Sequence, residues 1–155
     1  MNEDSLAMAL IAAQTPPDDI QQAVIDWVGE CPYIDPNAQI LTDLLDPGAP
    51  PGYAVAATGS VPLRRYIRRG SDWQNTYALY ARFLGKENRQ RQRNARFLQN
   101  FMDWAERRAQ RKDFFKIPHG QVRGIEASNG MLFDSDESGN MIYQVQLKLS
   151  YYREV

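Results

Sequence analysis

Residues 87–111, ENRQRQRNARFLQNFMDWAERRAQR, decide the architecture. At roughly 100° per residue, Phe97, Leu98, Phe101, Met102, Trp104 and Ala105 fall on one side of a helix, with Ala95 and Ala109 beside them. Asp103 and Glu106 lie opposite. Between the two zones runs a narrow stripe of Arg89, Arg93, Arg96, Arg107 and Arg111. Three aromatics on one face have to be buried, since each large side chain taken out of water contributes ~1.5–3 kcal/mol. The neighbouring segments must supply the covering surface, and both read as strands.

Upstream, residues 61–69 and 73–84 read as the arms of a hairpin around Gly70-Ser71-Asp72. In the second arm Trp73, Tyr77, Leu79, Ala81 and Phe83 share one face, while Gln74, Thr76, Tyr80 and Arg82 share the other. Long side chains on both faces predict a strand covered on one side and touching a partner on the other. Downstream, residues 121–134 and 141–152 form a second hairpin. Its last arm sends Met141, Tyr143, Val145, Leu147, Leu149 and Tyr151 inward, and Gln144, Gln146, Lys148 and Ser150 outward.

Nearer the start, Thr15-Pro16-Pro17-Asp18-Asp19 has the capping residue, prolines and acids of a helix beginning. Ile20, Ala23, Val24, Trp27 and Val28 keep helical spacing, and Gly29 and Pro32 end the helix near Cys31. Prolines and glycines mark residues 35–52 as loop-rich, with a short strand at 40–45 and another at 53–58 closed by Gly59-Ser60. The expectation is an α+β fold: an antiparallel, mixed-length sheet of hairpins covered by two main helices. Residues 1–155 read as a single domain, with residues 1–14 as a candidate N-terminal arm.

Charge is unevenly distributed. Residues 1–63 hold nine acidic and no basic side chains, residues 64–123 hold sixteen basic and five acidic, and the remainder holds two basic and five acidic. Such a split predicts either an anionic partner for the middle segment or complementary ends of one subunit. The single cysteine, Cys31, excludes an internal disulfide and a cysteine-rich zinc site; it leaves the redox compartment open, with a reducing cytoplasm as the natural expectation. Residues 5–13 are apolar but follow Glu3 and Asp4 rather than a basic region, and they are too short to span a bilayer. No membrane association is expected.

The chemistry-bearing residues are sparse. His119 is the only histidine and Cys31 the only thiol, and nothing in the sequence aligns them as base and nucleophile. Asp134-x-Asp136-x-Ser138-Gly139 imitates the start of a calcium loop, but the closing acid position is Val145, so a hairpin turn is expected instead. No glycine-rich phosphate loop, HExxH or GxSxG pattern occurs. Neither catalytic residues nor a metal or cofactor site is expected, and the chain does not read as an enzyme. What remains is arginine: Arg64, Arg65, Arg68 and Arg69 on the first hairpin, and Arg89, Arg93, Arg96, Arg107 and Arg111 on the helix. A helix face of Arg and Gln is ordinarily just solvated, with pairs such as Asp103–Arg107 adding little. The alternatives are a subunit interface, where guanidinium forks meet a neighbour's carboxylates, or a nucleic-acid-binding module using the Arg64–Arg111 basic surface, with Tyr66 and Trp73 as exposed rings. An acidic first third beside a basic middle suits head-to-tail self-association, which closes into rings.

Several runs resemble a known family. Trp27…Cys31-Pro32, Arg65-Tyr66 and Tyr80-Ala81-Arg82 in the first half are similar to the tail-completion proteins, or minor capsid proteins, of long-tailed bacteriophages and prophages. So are Phe101…Trp104, Ile125-Glu126, Asn129-Gly130-Met131-Leu132-Phe133-Asp134 and Tyr143-Gln144-Val145-Gln146-Leu147…Tyr151-Tyr152. The chain thereby resembles tail terminators over roughly residues 25–152. Residues 1–14 and the arginine-rich helix depart from the pattern. The resemblance implies a tail-terminator-like subunit that assembles into a ring, commonly a hexamer, on the finished tail tube. Such a ring stops tube polymerisation and offers a docking face to the head–tail connector protein. Its partners are further copies of itself, the tail tube protein and the connector, with DNA passing through the lumen. It implies location in the virion at the tail–head junction, and in the bacterial host cytoplasm during assembly.

Overall fold

The computed structural model describes residues 19–154. Helix α1 (Asp19–Gly29) is followed by strand β1 (Ile40–Thr42) and two long strands, β2 (Gly52–Arg65) and β3 (Ser71–Leu84). Helix α2 (Asn88–Gln110) comes next, then strands β4 (Gly120–Ser135) and β5 (Asn140–Arg153). The sheet runs β1-β2-β3-β5-β4. The fold is α+β as expected, but the sheet is mixed rather than antiparallel. Its four long strands are antiparallel, while β1 pairs parallel to β2 through Ile40–Tyr53, Leu41–Ala54 and Thr42–Val55. The loop between β1 and β2 is long enough to carry the chain back to the same end, which a tight turn cannot do. The expected arm, residues 1–14, and the expected helix start at residues 15–18 lie outside the described residues.

Both helices lie on one face of the sheet. Trp27, Val28 and Val24 of α1 and Phe97, Phe101 and Trp104 of α2 join Tyr77, Leu79, Val145 and Leu147 in one core. Trp27 sits at its centre, with ring centroids 4.8 Å from Trp104, 6.3 Å from Phe101 and 6.3 Å from Phe115. The α2 wheel is largely as expected, with one shift. Asn94 is buried, its amide donating to the Leu84 carbonyl at 2.9 Å, whereas Ala95 is exposed. That hydrogen bond satisfies a carbonyl at the end of β3 and fixes where α2 begins. The Glu87 N–H donates to Gln90 Oε1 at 3.0 Å at the helix start, and Arg91 donates to the carbonyls of Gly85 and Lys86.

The first hairpin and the short strand before it depart from expectation in three ways. Gly59-Ser60 does not end a strand: β2 runs through it, and register shifts between Ala57 and Gly59 and between Pro62 and Arg64 absorb the irregularity. A side chain at residue 59 would meet Thr76 Oγ1 at 3.0 Å, so glycine is there for close approach rather than for a turn. The turn itself falls earlier, at residues 66–70. The Tyr66 N–H donates to the Gly70 carbonyl at 3.0 Å, and Arg68 adopts φ 62°. The expected strand at 40–45 is only three residues long, because Asp43 turns left-handed at φ 67° and directs its carboxylate back at β2. Asp43 accepts from Gln21 Nε2 at 2.8 Å and from the Ala57 N–H at 3.3 Å.

Arg82 also differs from its expected outward, partner-touching place. It is buried, and its Nη2 donates to the Asp46 carbonyl at 2.6 Å, so it holds the proline-rich loop against the helix-free face of the sheet. The second hairpin is as expected. Tyr143, Val145, Leu147, Leu149 and Tyr151 are buried in alternation along β5. Its turn is closed by Asp136, whose carboxylate accepts the backbone N–H groups of Ser138 and Asn140 and the Asn140 side chain.

Candidate interaction surfaces

The nine arginines marked in the sequence do not form one surface. Arg64 and Arg65 end β2, and Arg68 and Arg69 lie in the turn that follows. Arg89, Arg93 and Arg96 begin α2, just past the other end of β3. A fourteen-residue strand separates the groups, about 40 Å at the usual rise per residue. Arg107 and Arg111 sit at the far end of α2.

Among the described residues, the α2 side chain that forms ion pairs is Arg108, outside the marked stripe. It bonds Glu30 and, at 2.9 Å, Asp113, and its guanidinium lies 5.2 Å from the centroid of Trp104. Partial burial works against its charge. Donation to Glu30 and Asp113 more than offsets this, so its pKa lies above the ordinary guanidinium value. The acidic first third and the basic helix are thus joined within the subunit at this point. The expected Asp103–Arg107 pairing is replaced by a hydrogen bond from Gln99 to Asp103 at 3.0 Å.

The hairpin arginines have companions that the sequence did not single out. Arg153 closes β5 opposite Ser71, and Arg123 sits at a register shift near the start of β4, so both reach the same end of the sheet. Here guanidinium groups lie over rings. Arg64 and Arg69 are 5.2 and 4.8 Å from the Tyr66 centroid, Arg123 is 5.5 Å from Tyr152, and Arg153 is 5.8 Å from Trp73. Tyr66 and Tyr152 stand 6.3 Å apart. Tyr66 donates to Asp72 at 2.6 Å, which holds its phenol above the ordinary pKa. The Gly70 N–H donates to Tyr152 Oη at 3.0 Å, tying the turn to β5. Only cross-strand register brings Arg123 and Arg153 here, and one-dimensional spacing does not reveal it.

Exposed apolar side chains mark the two edges of the sheet. Val61 and Leu63 lie on β2, and Met131, Leu132 and Phe133 on β4, each about half exposed. Phe133 rests against Tyr80 at 5.2 Å. Beyond β1, the outer edge of β2 is met by the Asp43 N–H and Gln21 Nε2, which donate to the Val55 carbonyl, and by the Asp43 carboxylate, which accepts the Ala57 N–H. Among the described residues no other strand pairs with that edge, and none pairs with the outer edge of β4.

Cys31 is buried behind α1, where desolvation raises its thiol pKa, while His119 is exposed in a left-handed turn before β4. No hydrogen bond joins them. Among the described residues, no group of His, Cys, Asp and Glu could hold a metal ion, and no helix is long and apolar enough to cross a membrane. Comparison with protein-family models gives no match, and comparison with curated proteins gives none.

Proposed function

We propose that this chain is a structural subunit of a long-tailed phage or prophage. Copies of it form a closed ring on the finished tail tube, stop tube polymerisation and offer a docking face to the head–tail connector. One observation carries the reading: the sheet has two open edges on opposite sides, and they run in opposite directions. β2 and β4 are related by three successive antiparallel pairings. A copy placed beside another in the same orientation therefore brings β4 antiparallel to β2, and the sheet continues across the contact. The edges differ, so the contact is head-to-tail, and a constant rotation closes it into a ring.

Side chains favour this arrangement. Long edge strands are normally blunted against pairing; both edges here carry apolar residues, with Pro62 and the register shifts of β2 and β4 as interruptions that leave shorter pairing stretches between them. The helix layer adds bulk to one face, which suits that face to the outside of the proposed ring. The lumen is then lined by the helix-free face with Gln74, Thr76, Gln144, Gln146, Lys148 and Ser150, a polar surface of low charge that suits passing DNA. Arg89, Arg93 and Arg96, which form no ion pair among the described residues, are the helix residues assigned to the neighbour or to the tube.

The test is assembly. Light scattering on the purified chain, alone and mixed with tail tubes of the same phage, is expected to give a ring-sized species in at least one condition. A monomer in both overturns the proposal.

A further inference from the structure

We propose that the end of the sheet bearing Arg64, Arg69, Arg123 and Arg153 is a binding site for the phosphate backbone of duplex DNA. The turn of the first hairpin, the start of β4 and the C-terminal end of β5 converge there, and two more arginines, Arg65 and Arg68, flank it. None of the six forms an ion pair with a carboxylate among the described residues, where the ion pairs are those of Arg108. Asp72, the carboxylate within the cluster, accepts the Tyr66 hydroxyl. Glu154 borders the cleft formed by Arg65, Tyr66, Arg69, Trp73 and Arg153. The local balance stays strongly positive although the whole chain carries −1.

The stacking is what distinguishes this cluster from a solvated charge run. A guanidinium lying over a ring loses rotamer freedom before any ligand arrives, while its in-plane N–H groups remain free to donate as a fork. Phosphate oxygens accept such forks in bidentate fashion. Tyr66 orders two guanidinium groups, and Tyr152 and Trp73 order one each, so four forks are preorganised within one patch. The same stacking occupies the rings that a single-stranded ligand would use for its bases. The ligand is therefore a backbone, read without sequence preference. Arg89, Arg93 and Arg96, at the opposite end of the sheet and without a ring partner among the described residues, take no part.

The site belongs to the subunit and does not depend on ring closure, so the two proposals fail separately. Fluorescence anisotropy with a labelled mixed-sequence duplex, titrated at several salt concentrations, tests it. Wild type is expected to bind, with affinity falling log-linearly as salt rises. Replacing Arg64, Arg69 and Arg123 together by Gln should weaken binding at least tenfold at low salt and reduce the salt slope by about 0.9 for each phosphate no longer neutralised. The matching change at Arg89, Arg93 and Arg96 should leave both unchanged. Tyr66→Ala removes no charge and should still weaken binding several-fold. Absence of duplex binding by wild type at about 50 mM salt overturns the proposal, as does equal weakening by the helix triple. Unchanged binding by Tyr66→Ala overturns the preorganised arrangement.

Discussion

At the scale of single residues, a few buried groups hold the fold in place. Phe101 is fully buried against Trp27 and Trp104. Phe101→Ala is expected to cost about 3–5 kcal/mol, read as a shift in the denaturant midpoint, and a shift of under ~1 kcal/mol would contradict its central place. Cys31 is 2% exposed, and desolvation by burial raises its thiol pKa despite hydrogen bonds from nearby backbone. It should resist a thiol reagent in the native protein at mildly alkaline pH and react at once on unfolding. Prompt native labelling would show that the end of α1 is not packed as described. Asp136 is held below the usual carboxylate range, chiefly by the Asn140 N–H. Because its folded pKa is depressed, its contribution is present above the unfolded carboxylate value and is lost as pH falls through the folded one. Asp136→Asn should lower stability near neutrality and bring variant and wild type together in acid. A difference that persists in acid would contradict this.

At the scale of elements, the strongly periodic segments were legible and the chain geometry between them was not. The pattern of residues 87–111 fixes α2 to within a residue at each end, and the alternation along β5 fixes its inward face. Gly59-Ser60 misleads because glycine serves both turns and close strand approach, and only the position of Thr76 decides between them. Arg82 misleads because its partner is a backbone carbonyl thirty-six residues away, which leaves no trace in local pattern. Of the arginines, the hairpin and helix groups were visible as charge. Their separation by the length of β3, and the joining of Arg123 and Arg153 to one group, needed the register. Arg93 and Arg96 lie off the apolar arc of α2. Their joint reversal to Glu is expected to weaken assembly while leaving the thermal midpoint nearly unmoved, and unchanged assembly would remove the helix from the contact.

For the whole molecule, the parallel strand β1 matters more than its length suggests. It covers β2 only at Tyr53, Ala54 and Val55, and Asp43 takes up the Ala57 N–H, so the edge from Thr58 onward stays open on the side opposite the open edge of β4. Four antiparallel strands in a row give those edges opposite directions, a property of strand number and order that no single residue carries. The most direct test is the mass of the assembled species, measured by native mass spectrometry on wild type and on a Leu63→Lys, Phe133→Lys double variant, each alone and with tail tubes. Wild type should give a closed multiple of the 17.8 kDa subunit, a hexamer by the resemblance, and the edge variant should stay monomeric yet folded. Wild type that stays monomeric on the tube, or an edge variant that assembles as well as wild type, would contradict ring formation through the sheet edges.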